Sequence, residues 1–154
     1  KYPMMDKYDF LIIEGHNRGL SPDDMKEEFE DLKIAEKTIY KRLKRLKKMY
    51  KKIVDELKNE KIEFFIDEPK WYIDMLVDNP SKVLENLKKL GIQGRRFYKP
   101  LHQQSFFMQK HYSKKSFKNS NYLYEHGIWL PSTTNLSDRE INRVIDSVKI
   151  ALQQ

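Results

Sequence analysis

The 154-residue chain has no cysteine, five glycines and six prolines. Without cysteine there is no disulfide framework and no thiolate metal site. Five glycines leave no Gly-rich phosphate loop: neither a GxGxxG run nor a Walker pattern occurs, and no GxSxG elbow is present. The longest apolar run, Phe10-Leu11-Ile12-Ile13, is far shorter than the ~20 residues of a membrane-spanning helix. No basic-then-apolar leader opens the chain. These absences lead to the expectation of a soluble, cytosolic protein with no membrane partner. Because the first residue is lysine, the expectation is also of a trimmed or incomplete chain. The four histidines, His16, His102, His111 and His126, are scattered without ligand spacing, so no metal site is expected.

What is present is charge. Lys and Arg number 30 against 23 Asp and Glu, a net charge of +7, while 39% hydrophobic and 12% aromatic residues suffice for a core. The charge is uneven. Leu20 to Glu36 carries seven acids against Lys26 and Lys33. Lys37 to Val54 carries nine bases and no acid. A second acid-free stretch from Asn86 to Tyr124 holds nine more bases, among them Lys88, Arg95, Arg96, Lys99 and Lys118. Two anion-attracting regions follow, the plainer alternative being a solvated helix face plus a basic loop, an alternative weaker for the second stretch.

Tyr8 to Ile13 reads as a short strand or helix end, and Glu14 to Gly19 as a turn. Ser21-Pro22 followed by Asp23 and Asp24 opens a helix. Ile39, Leu43, Leu46, Met49 or Tyr50, Ile53 and Leu57 recur at three and four, predicting a helix over 36–59. From Ile62 the period falls to two, predicting strands at 62–66 and 71–78 around a turn at Asp67-Glu68-Pro69. Asn79-Pro80 starts a helix that Gly91 ends. Ile92 to Tyr98 reads as a strand, Lys99 to Ser120 as a long loop, and Asn121 to His126 as a short helix. Ile128 to Pro131 is extended, and Ser137-x-x-Glu140 is a capping box for a last helix. The expected fold class is α+β: a long N-terminal helix leading into a small antiparallel or mixed sheet covered by helices. Two regions are expected, a helical segment over 1–56 and an α+β domain over 57–154.

Two segments carry candidate chemistry. The first is a helix-turn-helix: Gly19 to Met25 opens one helix, and Ala35 to Leu46 resembles a recognition helix with bases, Thr38 and Tyr40 for DNA. Against it, the second helix continues for six turns and the linker lacks glycine. The second is Gly91-Ile-Gln-Gly-Arg-Arg-Phe-Tyr-Lys-Pro-Leu-His102, a strand delivering arginines, aromatics and a histidine into a loop. Arginine forks pair with phosphate and aromatics stack on rings, so this set suits a phosphorylated or nucleotide ligand. The plainer alternative is an edge strand with surface bases.

This second segment resembles the C-terminal domain of DegT-type sugar aminotransferases, pyridoxal-phosphate enzymes that aminate keto-sugar nucleotides. Their pattern here is Gly-Ile-x-Thr-Arg, then aromatics, then Pro-Leu-His. It places Arg95 and His102 on the family's arginine and histidine, with Gly94 departing from threonine. Trp71 to Asp78, Tyr124 to Ser132 and Leu136-Ser137-Asp138 are similar to further family stretches, with spacing kept from about 56 to 152. Gly15-His16-Asn17-Arg18-Gly19-Leu20-Ser21 resembles the family's Gly-x-Asn-x-Arg-Met-Ser/Thr turn, with Gly19 in place of its arginine.

The resemblance implies that Arg95, Tyr98 and His102 face a nucleotide sugar, and that Asn17 reaches the pyridoxal phosphate of a neighbouring subunit in a homodimer. It implies no catalytic residue in this chain, because the family's Schiff-base lysine lies in a large N-terminal domain upstream of the Gly-x-Asn turn. The expectation is the C-terminal portion of such an enzyme, inactive alone and associated with a missing large domain. The alternatives are a non-catalytic nucleotide-sugar or partner-binding domain, and a DNA-binding protein using the basic helix 37–52.

Overall fold

The computed structural model describes residues 7–58, 60, 62–64, 72–108 and 117–153. Three helices lead: α1 (Lys7–Asn17), α2 (Pro22–Glu28) and α3 (Glu36–Leu57). Then follow β1 (Ile73–Leu76), α4 (Pro80–Lys89), β2 (Arg95–Arg96), a 3-10 turn (Leu101–Gln103), α5 (Ser105–Met108), α6 (Lys118–His126), β3 (Gly127–Leu130) and α7 (Asp138–Gln153). The fold is α+β, as the periodicities indicate.

Local chemistry sets most boundaries. Ser21 caps α2 reciprocally with Asp24: the Asp24 N–H donates to the serine hydroxyl, and the Ser21 N–H donates to the carboxylate at 3.0 Å. Asn79 accepts from the Lys82 N–H to cap α4, and Gly91 closes that helix at φ +77°, a conformation that disfavours any Cβ. Ser137 and Glu140 form the reciprocal box at the start of α7.

The described strands form one antiparallel sheet of order β1-β3-β2. Ile73 faces Leu130 and Met75 faces Ile128. These four side chains join α3, α4 and α7 in the main core, with Leu46, Met49, Ile53, Val83, Leu87, Val144 and Val148. Strand alternation puts Asp74, Trp129 and Arg95 abreast on the opposite face, because Asp74 and Arg95 both pair with Trp129. A second core of Ile12, Met25, Leu32 and Ile39 joins α1, α2 and the first turns of α3. The buried stripe of α3 therefore serves both cores.

Some elements differ from expectation. Residues 8–17 are helical, with Gly15 buried inside α1 rather than in a turn; a Cβ there would lie 2.5 Å from Met25 Cγ. The strand expected at 92–98 is reduced to Arg95–Arg96, since β2 is an edge strand beside a four-residue partner. At 62–66, Glu63 makes an isolated antiparallel bridge to Leu76, and the turn at Asp67-Glu68-Pro69 lies outside the described residues. Part of the loop expected from Lys99 to Ser120 is ordered into the 3-10 turn, α5 and the start of α6.

Candidate functional site

Gly127 sits where the open sheet face meets α6. A Cβ there would lie 2.4 Å from Phe97 Cγ and 2.5 Å from the Leu123 carbonyl oxygen. Its absence lets the Phe97 ring lie over the strand, fixed by the Phe97 N–H to Gly127 carbonyl bond at 3.1 Å. Phe97 then stacks on Trp129 at 5.0 Å, Tyr72 stacks on Trp129 at 4.5 Å, and Tyr98 meets it edge-on at 4.9 Å.

Beyond Phe97 opens a cavity of 570 Å³ between the segment after β2 and α6. Its lining is aromatic and apolar, including Phe97, Tyr98, Phe107, Phe117 and Tyr124, with His102 as its imidazole. Such a lining with few polar groups is typical of small-molecule sites. The His102 ring stacks on Phe117 at 4.3 Å, and its Nε2 lies 2.7 Å from Asn121 Oδ1. Gln103 Nε2 donates to the same oxygen at 2.7 Å.

Of the expected binding residues, Tyr98 and His102 line this cavity. Arg95 stands exposed at the open sheet face, three residues before Tyr98, and no described residue bonds its guanidinium. Tyr98 is 70% exposed. Arg96 differs from its neighbour: it donates to the carbonyls of Tyr124 at 2.7 Å and Glu125 at 3.1 Å, anchoring β2 to the C-terminal end of α6. Asn17 ends α1, exposed, and does not line the cavity. Among the described residues no group of three or more His, Cys, Asp or Glu is arranged to hold a metal, and no helix is long and apolar enough to cross a membrane.

A second polar constellation escaped sequence reasoning. Asp9 in the first turn of α1 is fully buried. It accepts from the Thr134 N–H and hydroxyl at 2.7 Å, from the Thr133 hydroxyl at 3.4 Å and from Arg42 at 3.1 Å. One turn along α3, Arg45 donates to the carbonyls of Thr134, at 3.0 Å, and Leu136, and pairs with Asp138 at 3.5 Å. Two of the basic helix's arginines are thus spent inside the molecule. No spacing motif announces this network, because its partners lie far apart in the chain.

The same fold occurs in solved sugar aminotransferases. Helicobacter pylori PseC, an aminotransferase involved in the biosynthesis of pseudoaminic acid, superposes with TM-score 0.64 at 18% identity, over 76% of this chain and 34% of that one. S. venezuelae DesV gives TM-score 0.68 at 17% identity, over 75% and 33%. A DegT DnrJ EryC1 StrS aminotransferase from Brucella abortus gives 0.66 at 18%, over 75% and 32%. The chain belongs to the DegT/DnrJ/EryC1/StrS aminotransferase family, whose model matches residues 28–149. The match takes in all of α3 and begins after Gly15–Ser21. The uncharacterized protein MJ1066 of Methanocaldococcus jannaschii is 35% identical over 78 residues, 50% of this chain and 20% of that protein. The chain thus spans a fifth of that relative and about a third of the solved chains.

Proposed function

We propose that the chain is the C-terminal portion of a pyridoxal-phosphate-dependent sugar-nucleotide aminotransferase, a small domain that holds substrate for a cofactor bound elsewhere. The observation that carries this reading is Arg95, an exposed guanidinium without a partner among the described residues, beside the aromatic cavity that Tyr98 and His102 line. Arg95 pairs with the diphosphate as a two-pronged donor. Tyr98 offers an exposed ring to the sugar or base, and His102 a polar contact within the cavity.

Pyridoxal phosphate, when bound as an imine to a lysine, supplies an electron sink for amine transfer. The described residues do not fit its cage. Every described lysine side chain is exposed or half-buried, whereas a Schiff-base lysine is tuned by a desolvated pocket. The buried carboxylate Asp9 is already taken up by Arg42, Thr133 and Thr134. On this reading the lysine belongs to a large domain outside this chain, and Asn17 reaches the cofactor phosphate of a neighbouring subunit in a homodimer. The DNA-binding alternative loses Arg42 and Arg45, which bond within the molecule, and keeps the exposed Lys37, Lys41, Lys44, Lys47, Lys48 and Lys51.

The test is titration of the full chain with UDP-glucose, followed by amide NMR. Shifts confined to 95–107 and 117–126, with Arg95→Ala weakening binding about tenfold as loss of a charged hydrogen bond does, support the reading. Unchanged binding in both Arg95→Ala and His102→Ala overturns the site. A stoichiometric pyridoxal phosphate absorbance band on the isolated chain overturns the placement of the cofactor.

A further inference from the structure

We propose that Asn121 is a positioning residue that holds His102 with its hydrogen on Nε2 and so leaves Nδ1 as an acceptor for a hydroxyl of the ligand's sugar ring. The ligand half of this inference rests on the nucleotide-sugar reading above; the hydrogen placement rests on geometry alone.

The geometry is a three-residue junction. Gln103 Nε2 can only donate, and it lies 2.7 Å from the Asn121 side chain, so the Asn121 atom facing it is the oxygen. That same oxygen lies 2.7 Å from His102 Nε2. An amide oxygen can only accept, so Nε2 carries a hydrogen. In the neutral ring Nδ1 is then a bare lone pair, and no described residue bonds it. The ring cannot swing away at no cost, because its face is stacked on Phe117 with an interplanar angle of 19°. His102 and Gln103 come from the 3-10 turn and Asn121 from α6, so the junction also ties together two walls of the cavity.

A bare nitrogen repels a phosphate oxygen and accepts from a hydroxyl. This corner of the aromatic cavity therefore suits the hexose, while Arg95, outside it, suits the diphosphate. The opposite assignment flips both amides, makes Asn121 the donor to a bare Nε2 and moves the ring hydrogen to Nδ1. The two assignments give different spectra.

The experiment uses the full chain labelled with 15N-histidine. Long-range proton–nitrogen correlation is expected to show His102 protonated at Nε2, with a protected Hε2 signal. Asn121→Ala should lose that protection, and Asn121→Asp, whose carboxylate can only accept, should keep it. In calorimetry Asn121→Ala should bind UDP-glucose about tenfold more weakly, the scale of one hydrogen bond of about 1.4 kcal/mol, and bind UDP as the parent does. A hydrogen on Nδ1 in the parent, or a signal unaffected by Asn121→Ala, overturns the positioning role. Equal weakening for UDP and UDP-glucose overturns the hydroxyl assignment. If UDP-glucose fails to bind the parent, the nucleotide-sugar reading and the hydroxyl assignment fall together, while the spectrum still decides the positioning role.

Discussion

Asp9 and Thr134, 125 positions apart, share three contacts: the carboxylate accepts the threonine N–H and its hydroxyl reaches both carboxylate oxygens, each at 2.7 Å. Asp9 is fully buried, so these bonds, the Thr133 hydroxyl and the Arg42 ion pair stand in for water around it. The contact ties the start of α1 to the segment following β3, and so couples the helical half to the sheet.

Removing the carboxylate should therefore cost far more than removing one donor. Asp9→Ala removes the carboxylate facing half-buried Arg42 and strands the Thr134 N–H, for a loss of about 3–5 kcal/mol. Thr134→Val keeps the N–H bond and should cost about 1–2 kcal/mol. Urea unfolding followed by circular dichroism measures both. Equal losses would mean that the carboxylate does not organise this junction.

A contrast between neighbours on α3 tests how the basic helix is used. Lys44 is exposed and Arg45 is braced against the carbonyls of Thr134 and Leu136. Lys44→Ala should change stability by less than about 0.5 kcal/mol. Arg45→Ala should cost about 2 kcal/mol, the scale of hydrogen bonds from a charged donor. The same contrast makes Lys41 and Lys44 the positions at which charge reversal tests nucleic-acid binding without disturbing the fold.

These contrasts also mark where sequence reading reaches its limit. The capping boxes at Ser21 and Ser137, the stop at Gly91 and the stripe of α3 were legible because each depends on residues within a few turns of chain. Arg95, Tyr98 and His102 stand out through a local pattern, and Tyr98 and His102 line the cavity. Asp9 was not legible: nothing in its local sequence marks it, and only tertiary packing brings Thr133, Thr134 and Arg42 to it. Arg96 resembled Arg95 in sequence, yet the end of α6 captures one and not the other. Gly15 read as a turn residue because the side chain that demands its small size, Met25, belongs to another helix. Asn121 belongs to no motif; its role follows from partners 18 and 19 residues away.

Acid should weaken the two capping boxes. Hydrogen bonds from Ser137, the backbone N–H foremost, hold Glu140 below its ordinary value, and the Ser21 side chain and then its N–H do the same for Asp24. A carboxylate whose folded-state value is depressed adds stability above its unfolded value and loses it as pH falls through the folded one. The difference in urea midpoint between the parent chain and Ser137→Ala should hold at neutral pH and shrink once pH drops below the ordinary glutamate value of 4.5. A difference that persists undiminished at pH 2 would mean that Ser137 acts through something other than the Glu140 carboxylate.

Gly127 offers the most direct link between packing and the cavity. A methyl group there meets the Phe97 ring and the Leu123 carbonyl, and the backbone oxygen cannot move aside as a side-chain tip can. Gly127→Ala should destabilise the chain by about 1–3 kcal/mol, the cost of overpacking. Displacing Phe97 also unstacks one face of Trp129 and shifts a wall of the cavity. The near-ultraviolet circular dichroism of Trp129 should fall, and ligand affinity should fall with it. Phe97→Ala in the Gly127→Ala background removes the clashing ring atoms and should recover part of the stability, the Leu123 carbonyl still meeting the methyl, without restoring the tryptophan signal. Recovery of both would show that Phe97 contributes only volume; recovery of stability alone would show that the stacked ring orders the open face of the sheet.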